Sequence, residues 1–223
     1  MNQSSKKMII AIDGPSGTGK STTARLLARD LGFVYLDTGA MYRAITFAAL
    51  AAKIPPSDTA GLLKLLETTS VDFDSDNKIL INGVSREQEI RGAEVSANTS
   101  LYSAVPEVRK VLTNLQREIA KTHSAVLDGR DIGTVVFPNA DFKFFLVTDI
   151  KVRAARRFEE LKEKGIPMTL EEVEKNLLER DALDSSRKEA PLRKAEDAIE
   201  IDTTQLSITQ QVQKIRDYVG VVA

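Results

Sequence analysis

Cysteine is missing from the chain, and histidine occurs once, as His123. Disulfides and thiol catalysis are thereby excluded, and no cluster of imidazoles can hold a metal. An excess of charge of one sign is missing too: 31 Lys and Arg balance 32 Asp and Glu. No global field then draws nucleic acid or a membrane surface, and any anion site must come from local clustering. Long hydrophobic runs are also lacking. The polar stretch Met1 to Lys7 leads into an apolar run that stops at Asp13, too short for a signal peptide or a membrane span. A soluble, cytoplasmic protein with no nucleic-acid or membrane partner is the expectation, and a monomer is the expected state. Repeats and low-complexity segments are absent, so 223 residues with 42% hydrophobic content suit one α/β domain with room for a small insertion.

What is present is arranged around Gly14-Pro15-Ser16-Gly17-Thr18-Gly19-Lys20-Ser21. It follows the strand-like Met8–Ile12 and precedes the helix-like Thr22–Arg29, the context that a G-x-x-x-x-G-K-[ST] phosphate loop requires. Glycines let backbone N–H groups wrap a triphosphate without a Cβ in the way. The following helix offers its N-terminal amides and the positive end of its dipole. Lys20 is placed to reach the β- and γ-phosphates and the Ser21 hydroxyl to take a Mg²⁺ position, with Gly14 through Thr22 as the ATP-binding stretch. A bare strand-to-helix turn is the competing reading, and the joint presence of Lys20 and Ser21 disfavours it.

Four further strands are expected at Phe33–Leu36, Ala125–Asp128, Phe142–Val147 and Ala198–Asp202. Alternation with helices predicts a parallel sheet with its strand C-termini on one edge. Thr38, Tyr42 and Arg43, just after the second strand, then face the phosphate-loop crevice, and Asp37 or Thr38 caps their helix. From Lys53 to Pro106 the rhythm breaks into a short helix at Leu62–Leu66 and a hairpin around Ser75-Asp76-Asn77, an inserted subdomain over 57–106. Pro106 opens a helix whose buried face is read as Val108, Val111, Leu112, Leu115 and Ile119.

The strand ending in Asp128-Gly129-Arg130-Asp131 matches a Walker-B arrangement, in which Asp128 holds Mg²⁺; ordinary Asp-Gly turn chemistry is the alternative. Arg153, Arg156 and Arg157 share one helix face, and a capping box at Thr169–Glu172 starts a helix through Val173, Leu177 and Leu178. Arg180, Asp184 and Arg187 form a stripe along it. These arginines either lie on a solvated face or clamp phosphates as a lid over 153–187. His123 reads as a surface or capping residue. No [NT]-K-x-D guanine-reading motif is present, which disfavours a GTPase switch. Another P-loop phosphotransferase, or a nucleotide-binding module without turnover, remains an alternative.

Asp37-Thr38-Gly39-Ala40-Met41-Tyr42-Arg43, Asp128 through Pro138, and Arg180-Asp181 through Ala190-Pro191-Leu192 together resemble the bacterial cytidylate kinases over essentially the whole chain. The resemblance implies a P-loop kinase fold: a five-stranded parallel sheet flanked by helices, an inserted NMP-binding subdomain and a helical lid. It implies transfer of a phosphoryl group from ATP, with Mg²⁺, to CMP or dCMP. It further implies that Arg43, Arg130 and Arg187 hold the CMP phosphate, that Ser100, Arg109 and Asp131 read cytosine, and that Asp184 with Arg180 contacts the pentose. Thr38 and Tyr42 would line the acceptor pocket. Lys20, Arg130, Arg153, Arg157 and Arg187 would act on the transferring group, with Arg156 and Arg157 towards ATP. Thr38 and Ser21 stand where some relatives carry Ser and Gly; the first keeps a hydroxyl and the second supplies one.

Overall fold

The computed structural model describes residues 7–74, 76–163 and 165–220. Its central sheet is built from β1 (Ile9–Asp13), β2 (Val34–Asp37), β6 (Ala125–Gly129), β7 (Phe142–Val147) and β8 (Ile199–Asp202) in the order β2-β6-β1-β7-β8. The β1–β6, β1–β7 and β7–β8 pairs are parallel. The strand that feeds the glycine loop is therefore the middle one, and the β6 and β7 C-termini flank it. Crossovers in a parallel sheet put every such end on one edge, where ligands bind in open α/β sheets.

The chain divides into two compact units, Met1–Tyr35 with Ala120–Ala223, and Leu36–Ile119. In the first, the sheet residues Ile10, Ile12, Val126, Phe144, Leu146 and Ile201 pack with helix α1 (Lys20–Leu31) through Ala24 and Leu27. Helix α8 (Ile208–Gly220) closes the same cluster with Val212, Ile215 and Val219. Each such side chain contributes about 2 kcal/mol on burial, so the anchorage of the apolar strands and helices offsets the strain in the loop between them. Gly32, at φ 68°, ends α1 in the left-handed conformation that its sequence position predicts. Helices α6 (Ile150–Glu163) and α7 (Leu170–Ser185) pair through Ala154, Leu161, Val173 and Leu177. Both halves of the Thr169/Glu172 capping box are formed. Leu178, on the same helix, is exposed. Lys164 lies outside the described residues.

The second unit gathers helix α2 (Thr38–Ala51), α3 (Thr59–Thr68), α4 (Ala93–Ser103) and α5 (Pro106–Ala120) around a three-stranded antiparallel sheet, β3 (Val71–Phe73), β4 (Ile79–Ile81) and β5 (Val84–Ser85). Met41, Ile45, Leu62, Ile79, Ile90, Val108 and Leu112 share its core. The unit is thus wider than the 57–106 segment, because α2 and α5 bury their apolar faces in that same cluster. Asp74 organises the β3–β4 turn by accepting from the Asp76 and Lys78 amides; Ser75 lies outside the described residues. Helix α4 escaped the sequence reading because its buried positions include Thr99, Ser100 and Ser103, which break the apolar period. The α5 stripe is also turned from the expected one. Val111 is exposed, while Arg109 and Gln116 are buried beside Val108 and Leu112.

Candidate active site

The loop from Gly14 to Gly19 takes a path only glycines allow. At Gly14, φ is 147° and a Cβ would lie 2.3 Å from the Leu146 carbonyl oxygen. Gly17 and Gly19 are also in left-handed regions, at 78° and 90°. Lys20 folds back into the loop and donates to the Pro15 carbonyl and, at 3.4 Å, to Thr18 Oγ1. Burial, with the positive charge of Arg130 next in weight, pushes its amine down to about 7.

Guanidinium groups from distant segments meet at Ser16. Arg130, just past β6, donates to its hydroxyl at 2.6 Å, and Arg153 of α6 donates to its carbonyl at 3.0 Å. The Ser16 amide donates at 3.2 Å to Asp181 of α7, whose other carboxylate oxygen accepts from Arg153. One helical turn on, Asp184 accepts from Arg130 Nε at 2.8 Å and from Arg187 Nη2. Burial alone would raise the Asp184 carboxyl, but Arg130 and Arg187 outweigh it and hold it below the usual carboxylate range. Arg180 completes the cluster. Burial first and Arg130 second lower its pKa, and its Nε is buried without a hydrogen-bond partner among the described residues. The stripe outlasts the helix: α7 ends at Ser185, and Arg187 is held by its ion pair to Asp184.

Two of the α6 arginines do not join this group. Arg156 donates to the Thr203 and Leu206 carbonyls of the loop after β8. Arg157 pairs with Glu160 on its own helix at 2.7 Å. Only Arg153 of the three reaches the glycine loop in this arrangement.

Ser21 Oγ donates to Asp128 Oδ2 at 2.7 Å, and Tyr35 donates to Asp128 Oδ1 at 2.8 Å. A hydroxyl and a carboxylate at the mouth of a phosphate loop are hard oxygen donors, which suit Mg²⁺. No group of three or more acidic, His or Cys side chains able to hold a metal occurs among the described residues. Asp13, the last residue of β1, is buried and accepts from the Ile132 amide at 2.9 Å and the Gly133 amide at 2.7 Å. Burial pushes its carboxyl up to about 7.

In the second unit, Asp37 caps α2 by accepting from the Ala40 amide. Thr38 and Tyr42 of that helix are buried. Arg43 donates to Ser96 Oγ at 2.8 Å and to the Ile90 carbonyl at 3.4 Å. Arg109 of α5 is buried, donates to the Ser103 carbonyl at 3.1 Å and stacks its guanidinium 5.4 Å from the Tyr42 ring centre. Ser103 in turn donates to the Ser100 carbonyl. Tyr42, Ser100 and Arg109 thus form one buried polar patch within an otherwise apolar unit.

Residues 10–220 match the sequence pattern of the family described as cytidylate kinase. The chain belongs to the cytidylate kinase family. Cytidylate kinase of Clostridium tetani is 49% identical over 94% of this chain and 92% of its own. That of Carboxydothermus hydrogenoformans is 50% identical over 96% and 97%. Among solved structures, an uncharacterized protein from Eubacterium ventriosum covers 97% of the chain at TM-score 0.53 and 14% identity, a likeness of fold alone.

Within this cytidylate kinase family member, four polar partners of the site were not singled out from the sequence. Tyr35 reads as one more buried aromatic in a strand. Asp181 stands beside Arg180 without a distinguishing period, and Asp13 passes for a strand terminator. Ser96 lies on the helix that sequence periodicity did not reveal. His123 is exposed, with its ring nitrogen 2.8 Å from Thr122 Oγ1. No helix among the described residues is long and apolar enough to cross a membrane.

Proposed function

We propose that the protein transfers the γ-phosphoryl group of ATP to CMP, and to dCMP, by direct in-line displacement. The observation that carries this reading is the meeting of Arg130 and Arg153 at Ser16 of the glycine loop, with Arg187 tied to the same group through Asp184. Phosphoryl transfer needs positioning and neutralisation of charge on the equatorial oxygens, which is what Lys20 and these guanidiniums supply. An acceptor that is already an ionised phosphate needs no general base. In this reading Gly14 through Thr22 cradle ATP, with Arg156 and Arg157 towards it, and Ser21 and Asp128 hold Mg²⁺. Bound there, the ion would neutralise phosphate charge. Arg43, Arg130 and Arg187 hold the acceptor phosphate, Asp184 with Arg180 the pentose, and Thr38 and Tyr42 line the pocket. A panel of CMP, dCMP, UMP, AMP, shikimate and dephospho-coenzyme A in a coupled ADP assay tests the reading. CMP and dCMP are expected to give the highest kcat/KM, and a higher value for any other acceptor would overturn it.

Cytosine presents an N4 donor beside N3 and O2 acceptors, so it is complementary to a carboxylate, Asp131, and to the donors Ser100 and Arg109. Uracil would set its O4 acceptor against the carboxylate. The parent is expected to favour CMP over UMP by about a hundredfold or more in kcat/KM, and Asp131→Asn to cut that ratio at least about tenfold. An unchanged ratio removes Asp131 from base reading.

Residues 153–187, which take in most of α6 and all of α7, serve as the lid in this scheme. Gly165, at φ 66°, supplies the break between the two helices. Hydrogen exchange across 153–187 is expected to slow when ATP and CMP saturate the enzyme, and identical exchange with and without nucleotides would sink the lid.

A further inference from the structure

We infer that Asp181 is a positioning residue for the phosphoryl-transfer step: from α7 it clamps the Arg153 guanidinium of α6 onto the glycine loop at Ser16. The inference rests on the reading above, in which Arg153 acts on the transferring group. A guanidinium on a long stem directs its charge at one point only when its plane is fixed. Two carbonyls begin that work. Arg153 Nε donates to Thr148 at 3.2 Å and Nη1 to Ser16 at 3.0 Å, and both acceptors are neutral. Asp181 adds the charged one, on that same Nη1.

The carboxylate is shared between the arginine and the loop. Its other oxygen accepts from the Ser16 amide at 3.2 Å, so one ion pair, drawn from two helices, offers Ser16 a donor at its carbonyl and an acceptor at its amide. Loss of either charge disturbs the grip of the other on the loop. The Arg153 and Asp181 side chains are 8% and 16% exposed, and so far from bulk water a charge-assisted bond is strong and poorly replaced. Gly17 leaves room for the approach of α6: a Cβ there would lie 3.3 Å from Arg153 Cβ. Ala154, the next residue of α6, packs in the apolar seam with Val173 and Leu177 of α7, which fixes the spacing of the two helices. One turn along α7, Asp184 holds Arg130 and Arg187, and Arg130 also ends at Ser16. The two carboxylates thus aim guanidiniums at a single loop residue.

The test is a double-mutant cycle on Asp181→Asn and Arg153→Ala, with the single-turnover rate of phosphoryl transfer and the Kd for ATP measured separately for each protein. Asn keeps an acceptor for the Ser16 amide and drops the charge that holds the guanidinium. Asp181→Asn is expected to slow transfer about tenfold or more. The Kd for ATP should weaken by less than about threefold, because Lys20 and the loop amides still hold the triphosphate. On the Arg153→Ala background the same change should cost less than about twofold in rate, since the carboxylate has nothing left to aim. Should Asp181→Asn be too unstable to assay, Asp181→Glu takes its place: it keeps the charge but displaces it by a methylene, and the same non-additivity is expected. A parental rate in the position-181 variant, or losses that add in full, overturns the inference. So does a loss of ATP affinity as large as the loss of rate, the mark of a loosened loop. A parental rate in Arg153→Ala would instead defeat the reading of Arg153, and the inference with it.

Discussion

Lys20→Ala is expected to lower kcat by about a thousandfold while leaving the melting temperature at or above the parental value. The two halves of that expectation come from one fact. Lys20 is 5% exposed and surrounded by loop backbone, and that burial pulls its amine down to about 7. A cation held there in the free protein is a cost to folding, so alanine removes a penalty rather than a support. Against a polyanionic triphosphate the same amine regains its proton, and its charge then falls on the oxygens where negative charge develops. The sign of the linkage follows. Below pH 7 the free lysine is already charged and ATP binding moves no proton. Above pH 7 binding raises its pKa and takes up a proton, so apparent affinity weakens as pH rises, by up to about tenfold per unit. Calorimetry at pH 8 in two buffers of different ionisation enthalpy should report uptake approaching about one proton in the parent and far less in Lys20→Ala. Near-parental turnover in the variant would remove Lys20 from the mechanism, and zero uptake in the parent would remove the depressed amine.

The sheet and the glycine loop were legible because they rest on local patterns. Apolar runs of strand length, a glycine series and a following helix leave few alternatives, and the parallel arrangement follows from the alternation. The converging arginines were legible as a class and not as individuals. Arg153, Arg156 and Arg157 share a helix face, but only the tertiary fold decides that Arg153 meets Ser16 while Arg156 turns to the Thr203 carbonyl and Arg157 to Glu160. Periodicity misled where polar side chains occupy the core. The α5 stripe places Arg109 where an apolar residue is expected, and α4 buries Ser100 and Thr99, so both helices carry weak or rotated patterns. Asp13 and Asp181 were illegible for another reason: each acts on a backbone amide far along the chain, at Ile132 and at Ser16, and backbone acceptors and donors leave no residue-type signature at the other end.

Asp184→Ala should be the most destabilising single change among the site residues. Its carboxylate, 3% exposed, is the shared counter-ion of Arg130 and Arg187, and Arg180 adds a third positive charge nearby. Deleting one partner of a buried ionic group leaves the remaining charges desolvated and mutually repelling, which costs about 3–5 kcal/mol, or roughly 10 °C in Tm for a chain of this length. Asp184→Asn should lie between, since it keeps an acceptor but not the charge. The pH dependence separates a charge effect from lost packing. A carboxyl held below its ordinary value contributes stability that is in place above its unfolded pKa of about 4 and is lost as pH falls through the folded value. The gap in Tm between parent and Asp184→Ala should therefore be full at pH 7 and close only below about pH 4. A gap that is constant through that range would mean that the side chain matters for its shape alone. Activity adds an independent check: kcat/KM for CMP should fall about a hundredfold in both variants, because Arg130 and Arg187 lose the group that aims them. If Asp184→Asn keeps parental kcat/KM at a lowered Tm, the carboxylate holds the fold together without orienting the arginines.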